Sequence, residues 1–130
     1  MRQPRRVLIV DDEELLAENL RRYCERHGWE ARVAHTGRLA AKAAAEFAPG
    51  LILLDYQLPD MNGFQSLARI RAVQRACPCV LMTAHPEHVL EAGALRLGIR
   101  NILYKPFRLV ELQAELLQIM ALPLALLPFL

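Results

Sequence analysis

Four strand-like segments in this chain end in residues that can handle a phosphoryl group. Val7-Leu8-Ile9-Val10 runs into Asp11-Asp12, Leu51-Ile52-Leu53-Leu54 into Asp55, Cys79-Val80-Leu81-Met82 into Thr83, and the segment Ile99 to Tyr104 into Lys105. Three carboxylates brought within a few ångström would raise one another's proton affinity unless a cation joined them. Mg²⁺ is the expected cation, with Mn²⁺ as a substitute, because it takes hard oxygen ligands, keeps several waters and needs only one or two carboxylates besides phosphate oxygens. Lys105 can pair with Asp55 and then with an incoming phosphoryl oxygen, and Thr83 can donate its hydroxyl to another. No water-activating base stands out. Phosphoryl transfer depends mainly on placement and on neutralising the equatorial oxygens, so this set suffices with Asp55 as nucleophile and covalent acceptor.

These residues meet only if the runs are neighbouring strands. Short, unbroken aliphatic stretches bounded by turn residues read as covered strands of a parallel sheet, whose carboxyl edge is where open α/β sheets place their chemistry. Between the strands lie helical patterns. Leu16, Leu20, Tyr23, Cys24 and His27 recur at helical spacing after Glu13-Glu14, acids that suit the positive end of a helix, and Gly28 ends that run. Trp29 to Ala34 is a short strand. Thr36-Gly37 opens an alanine-rich helix through Phe47, with Leu39, Ala43 and Phe47 as its inner face. Pro59 to Gly63 is the turn leaving the central strand, and Phe64, Leu67, Ile70 and Val73 line the next helix. Glu87 to Leu97 forms the weakest helical pattern, with Gly93 hinting at mobility. Arg108 to Met120 forms the last, with Leu109, Leu112, Leu116 and Ile119 on one face. Strand and helix thus alternate five times without internal repeat, which predicts an α/β doubly wound domain with a parallel sheet covered on both sides.

At 130 residues the chain is one domain by length, and its 54% hydrophobic content argues against disorder. Sixteen basic and fourteen acidic groups leave a formal charge of +2, too balanced to imply nucleic acid; Arg2, Arg5 and Arg6 read as a solvated terminus. Three cysteines, an odd set in a chain without a secretory leader, favour the cytoplasm. Cys77-Pro78-Cys79 offers only two sulfurs and does not suggest a metal site. No apolar run reaches membrane-spanning length. Residues 1–121 are expected to form the domain. The uncharged, proline-broken residues 122–130 are a packed extension, a partner contact, the start of a linker or a cloning remnant.

Val10-Asp11-Asp12-Glu13, Leu53-Leu54-Asp55-Tyr56-Gln57-Leu58-Pro59-Asp60-Met61-Asn62-Gly63, Met82-Thr83-Ala84 and Lys105-Pro106-Phe107, in this order, resemble the receiver domain of two-component response regulators. The resemblance covers about residues 5 to 121. It implies a (βα)5 three-layer sandwich of the chemotaxis-regulator type, strand order 2-1-3-4-5, in which Asp55 takes a phosphoryl group from the phosphohistidine of a sensor histidine kinase or phosphotransfer protein. By the same resemblance Asp12 ligates Mg²⁺ directly, Asp11 mainly through water, and the Gln57 backbone carbonyl adds a ligand. Thr83 and Lys105 bind the phosphoryl oxygens, and Lys105-Pro106 is a cis peptide. Gln57 and His85 flank the phosphoryl group and govern water access. Such domains usually couple the Thr83 hydroxyl to an aromatic side chain in the fifth strand, three residues before the lysine. Here that residue is Ile102, a departure, and Tyr104 falls on the same face but nearer the active edge.

The resemblance implies a switch rather than a turnover enzyme, with autodephosphorylation slow. A phosphatase of the aspartate-nucleophile type would need an acid/base Asp where Gln57 stands. A phosphorylation-independent interaction module is the other alternative, favoured only by Ile102. The surface of helix four, strand five and helix five, with Arg96, Arg100, Arg108, Glu91, Glu111 and Glu115, is where a homodimer or an output partner would form. Neither nucleic acid nor membrane is an expected partner of the domain itself.

Overall fold

The computed structural model describes residues 5–74, 77–85 and 89–121. Strands β1 (Arg5–Val10), β2 (Trp29–Ala34), β3 (Leu51–Asp55), β4 (Cys79–Thr83) and β5 (Asn101–Tyr104) alternate with helices α1 (Glu14–Arg26), α2 (Gly37–Phe47), α3 (Gly63–Val73), α4 (Glu91–Arg96) and α5 (Leu109–Ala121). All strand pairs are parallel, in the order β2-β1-β3-β4-β5. The doubly wound fold and its strand order are therefore those expected. The tail expectation for residues 122–130 and the start of the Glu87 helix lie outside the described residues.

The central strands are apolar throughout because both faces are covered. Val7, Ile9, Leu53, Val80 and Met82 point to one side, against Leu20 and Cys24 of α1 and Leu112, Leu116 and Ile119 of α5. Leu8, Val10, Ile52, Leu54 and Leu81 point to the other, against Ala40 and Ala44 of α2 and Leu67 and Ile70 of α3. This alternation by two lets α1 and α5 cover one face and α2 and α3 the other, and leaves the strand ends as the place where polar side chains can emerge.

Several helical faces are rotated from expectation. α2 buries Gly37, Ala40, Ala43 and Ala44, whereas Leu39 is exposed. The small residues let the helix lie close to the sheet, so the large side chain is turned away. Val73 ends α3 in solvent, its buried line being Ser66, Leu67 and Ile70. Leu109 opens α5 half-exposed, and the buried face begins at Leu112. Ile99 and Arg100 precede β5 rather than belonging to it; the Arg100 N–H nevertheless donates to the Cys79 carbonyl at 2.8 Å and so guides the chain into the sheet.

Gly93 has a packing role. A Cβ at this position would lie 2.6 Å from Cε2 of Phe64, so the absence of a side chain on α4 makes room for the α3 ring. Gly28 follows α1 at a φ of +89°, a left-handed conformation that glycine adopts without steric cost. All three cysteines are buried and free, with burial pushing the Cys24 and Cys77 thiols up to about 12.

Candidate functional site

Parallel register brings the chemistry-bearing residues to one edge. Asp55, the last residue of β3, lies opposite Met82, and Thr83, the last of β4, lies opposite Tyr104 of β5. Asp11 follows β1 and is drawn to the same edge by its N–H bond to the Ala34 carbonyl at 3.1 Å. The turn after β5, entered through a cis Lys105-Pro106 bond, sends Lys105 back over the edge. Four separate strand ends thus converge because every strand in the sheet runs the same way.

At the centre Lys105 Nζ touches three carboxylates: Asp11 Oδ2 at 2.8 Å, Glu13 Oε1 at 3.0 Å and Asp55 Oδ2 at 3.3 Å. The expected Lys105–Asp55 pair is present, but it is the longest of the three contacts. Burial works against the Lys105 charge, yet hydrogen bonds and charge from Asp11, Glu13 and Asp55 outweigh it and hold the ammonium above the usual lysine range. Burial acts in the opposite sense on Asp55. It pushes the carboxyl up to about 6, Asp11's charge adds to the rise, and Lys105 and the Gln57 N–H partly offset it.

Oxygen atoms of Asp11, Asp12 and Asp55 lie within 4.8 Å of one another, with Asp11 and Asp55 buried and Asp12 exposed. An all-oxygen set of this kind, open on the Asp12 side, fits a hard divalent cation that retains water. A cavity of about 470 Å³ opens over the group, lined by Asp12, Glu13, Asp55, Gln57, Leu58, Pro59, Ala84 and Lys105. Backbone bonds fix the carboxylates: Asp11 Oδ1 accepts from the Glu13 N–H at 2.9 Å, and Asp55 Oδ1 accepts from the Gln57 N–H at 3.3 Å. Thr83 is buried, and its Oγ1 accepts from the His85 N–H at 2.9 Å. His85 is exposed and lines a neighbouring depression with Tyr56 and Gln57. Ile102 is half-buried on the α3 side of the sheet and shares a second cavity, of about 320 Å³, with Tyr104 and Glu91. The Tyr104 hydroxyl donates to Glu91 Oε1 at 3.2 Å.

Three contributors had no role at this edge assigned from sequence. Glu13 reads as a helix-dipole acid, but at the N-cap of α1 it makes no side-chain capping bond and turns to Lys105. Its place directly after the paired aspartates was the available signal. His35 Nδ1 meets the Asp11 carbonyl at 2.8 Å, bracing the first loop from β2. Asp60 accepts from the N–H groups of Gly37 and Arg38 at 2.8 and 3.0 Å, so the loop that follows Asp55 is clipped to the start of α2. Those two N–H bonds hold the Asp60 carboxyl below the usual range. The signal for Asp60 was indirect: α2 has no acid in its own first turn.

The family model for the response regulator receiver domain matches residues 7–117. The chain is 36% identical over 107 residues to the regulatory protein AtoC of Escherichia coli (strain K12), covering 82% of this chain and 23% of that protein. It is 36% identical over 115 residues to the DNA-binding response regulator MtrA of Mycobacterium tuberculosis (strain CDC 1551 / Oshkosh), covering 88% of this chain and 49% of that one. It therefore spans half or less of these relatives. Among solved structures it is similar to the non-phosphorylated HemR receiver domain of Leptospira biflexa, with 29% identity, a TM-score of 0.83, and 92% and 96% of the two chains covered. Sequence, strand order and the arrangement at the sheet edge agree, and the chain belongs to the receiver domains of two-component response regulators.

Proposed function

We propose that the chain is a phosphorylation-operated signalling switch in which Asp55 is the acceptor. The observation that carries this reading is the convergence of Asp11, Asp12 and Asp55 within 4.8 Å, with the Lys105 ammonium beside Asp55 under an open cavity. An Asp55 carboxylate oxygen attacks the phosphorus of a histidine kinase or phosphotransfer protein's phosphohistidine. The new O–P bond forms as the P–N bond breaks, and its electron pair returns to the imidazole nitrogen. Asp11, Asp12, Asp55 and the Gln57 carbonyl would hold Mg²⁺, or Mn²⁺ in its place. The cation supplies charge neutralisation for the transferred oxygens. Lys105 exchanges its carboxylate contacts for one phosphoryl oxygen, and the Thr83 hydroxyl donates to another. Gln57 and His85 lie in the loops that follow Asp55 and Thr83, where they would govern the approach of water; slow hydrolysis is what the family resemblance implies, and the domain is read as a switch rather than a turnover enzyme.

The output is proposed to pass through the α4–β5–α5 surface, where Leu95, Tyr104, Val110 and Leu117 are exposed, either to a second copy or to an output partner. Part of the charge on this surface is already committed within the domain. Glu115 is buried, accepts from the Asn101 side-chain amide and lies 3.7 Å from Arg100 Nε, while Glu111 Oε2 accepts from the Arg108 N–H at 2.8 Å. The relatives' names point to transcriptional output, so we place DNA contact, where it occurs, in another domain. The proposed compartment is the cytoplasm; among the described residues no helix is long and apolar enough to cross a membrane.

Incubation with Mg²⁺ and acetyl phosphate, read by intact mass, tests the reading. The expected result is one phosphoryl adduct that disappears without Mg²⁺ and in Asp55→Asn. The competing reading, an interaction module indifferent to phosphate, draws on Ile102, whose aliphatic side chain has no hydroxyl to bond a moved Thr83. It is favoured if neither acetyl phosphate nor a cognate kinase produces an adduct.

A further inference from the structure

Switching requires a physical connection between the edge that holds Asp55 and a surface that a partner can read. Ile102 packs on the α3 side of the sheet as an aliphatic group. A different pair of side chains spans the distance. Tyr56 directly follows Asp55, and its N–H is fixed to the Met82 carbonyl at 2.8 Å. Its ring meets the Phe64 ring edge-on, with centroids 5.1 Å apart and planes at 74°. The same ring meets His85, centroids 5.4 Å apart at 82°. His85 is in turn tied through its backbone N–H to the Thr83 hydroxyl. At the far end, Phe64 fills the space that a side chain at Gly93 of α4 would need.

We propose that Tyr56 and Phe64 form an aromatic link that couples the state of Asp55 to the position of α4, with Gly93 as the receiving contact. The proposal rests on the reading of Asp55 as acceptor. When the Thr83 hydroxyl turns to a phosphoryl oxygen, the loop carrying His85 moves with it. The Tyr56 ring, held between His85 and Phe64, then has a new packing partner on one side. Close-packed rings pass from one arrangement to another rather than deforming continuously. Phe64 shifts against Gly93, and α4 moves because no side chain there cushions the contact. The coupling exists only to the extent that these contacts differ between the two states, which makes it measurable.

The test is hydrogen exchange of the α4 segment in the full chain with Mg²⁺, before and after saturating beryllofluoride, a tetrahedral mimic of the phosphoryl group. Fluorine NMR reports the bound mimic independently. In the unsubstituted chain the mimic binds and exchange in residues 89–97 changes. In Phe64→Leu, and separately in Gly93→Ala, which displaces the ring without deleting it, the mimic still binds. The exchange response in both variants falls roughly fivefold or more, the lower end of ordinary coupling between sites. Val73→Ala, on the exposed side of α3, retains the response and so excludes general loosening of that helix. Full α4 responses in both Phe64→Leu and Gly93→Ala would overturn the link while leaving the acceptor reading intact. No bound fluorine signal in the unsubstituted chain would overturn the acceptor reading and the link together.

Discussion

Asp55 is a carboxylate held in an unfavourable place. Burial and the neighbouring Asp11 raise it to about 6 from an ordinary 3.8, with Lys105 offsetting only part of the rise. A raised acid binds more protons in the folded than in the unfolded chain between these two values, so stability falls as pH rises through that window and is level above it. The cost at pH 7 without divalent cation is on the order of 1–3 kcal/mol. Asp55→Asn should therefore be more stable than the parent at pH 7 in chelator, with the difference shrinking below pH 6 and vanishing below 3.8; urea unfolding across pH measures it. An equal difference at every pH would mean that ionisation of Asp55 is not its source. The aspartates and Thr83 at this edge were legible from sequence because each follows an unbroken apolar run, whereas Lys105 follows a segment that contains Arg100 and Asn101 and was picked out by its place before Pro106. The sharing of Lys105 among three carboxylates was not, since Glu13 has an equally good local use at the start of α1 and only the folded turn after β5 decides between them.

At the scale of elements, the loop between β3 and α3 positions Asp55, the proposed nucleophile. Gly63 opens α3, and its N–H meets the Tyr56 carbonyl; a Cβ there would stand 2.9 Å from both the Asp55 carbonyl oxygen and Tyr56 Cα. Backbone cannot yield as a side chain can. Gly63→Ala should cost about 1–3 kcal/mol and slow phosphoryl acceptance by displacing Asp55, as urea unfolding and adduct formation would show. Gly37→Ala is the contrast, because the nearest atoms its Cβ would meet all belong to the flexible side chain of Met61, which can rotate away. A second local cost is visible at Ala48, which closes α2 at a φ of +50°, where a Cβ is strained. Ala48→Gly should raise stability by about 0.5–1 kcal/mol in the same assay. Element order was legible because aliphatic runs and helical patterns alternate five times. The inner faces of α2, α3 and α5 were less so. Leu39, Val73 and Leu109 match the helical period at their helix ends, but end residues project past the sheet, and small residues take the close contacts.

For the whole molecule, the parallel sheet is the device that makes a site from residues distant in sequence. It gathers three carboxylates at one edge and leaves their repulsion only partly relieved by Lys105. A cation that completes the neutralisation should stabilise the entire domain, by RT ln(1 + [Mg²⁺]/Kd), about 2.7 kcal/mol at a hundredfold excess over Kd. Thermal unfolding should show a midpoint that climbs with Mg²⁺ in the parent and stays level in Asp12→Ala. The Tyr56–Phe64 contact, between the loop after β3 and the start of α3, leads from that edge to Gly93 of α4, the path proposed for coupling charge at one end to packing at the other. Strand order was legible only through resemblance, since alternation of elements is compatible with several orders and the register is settled by which apolar faces pack. The most direct test of the central claim is to trap the acyl phosphate by borohydride reduction after phosphorylation from a histidine kinase, then locate the resulting homoserine by peptide sequencing in a mass spectrometer. Homoserine at position 55, formed only with Mg²⁺, is the predicted result; homoserine at another carboxylate, with position 55 unaltered, would contradict the account.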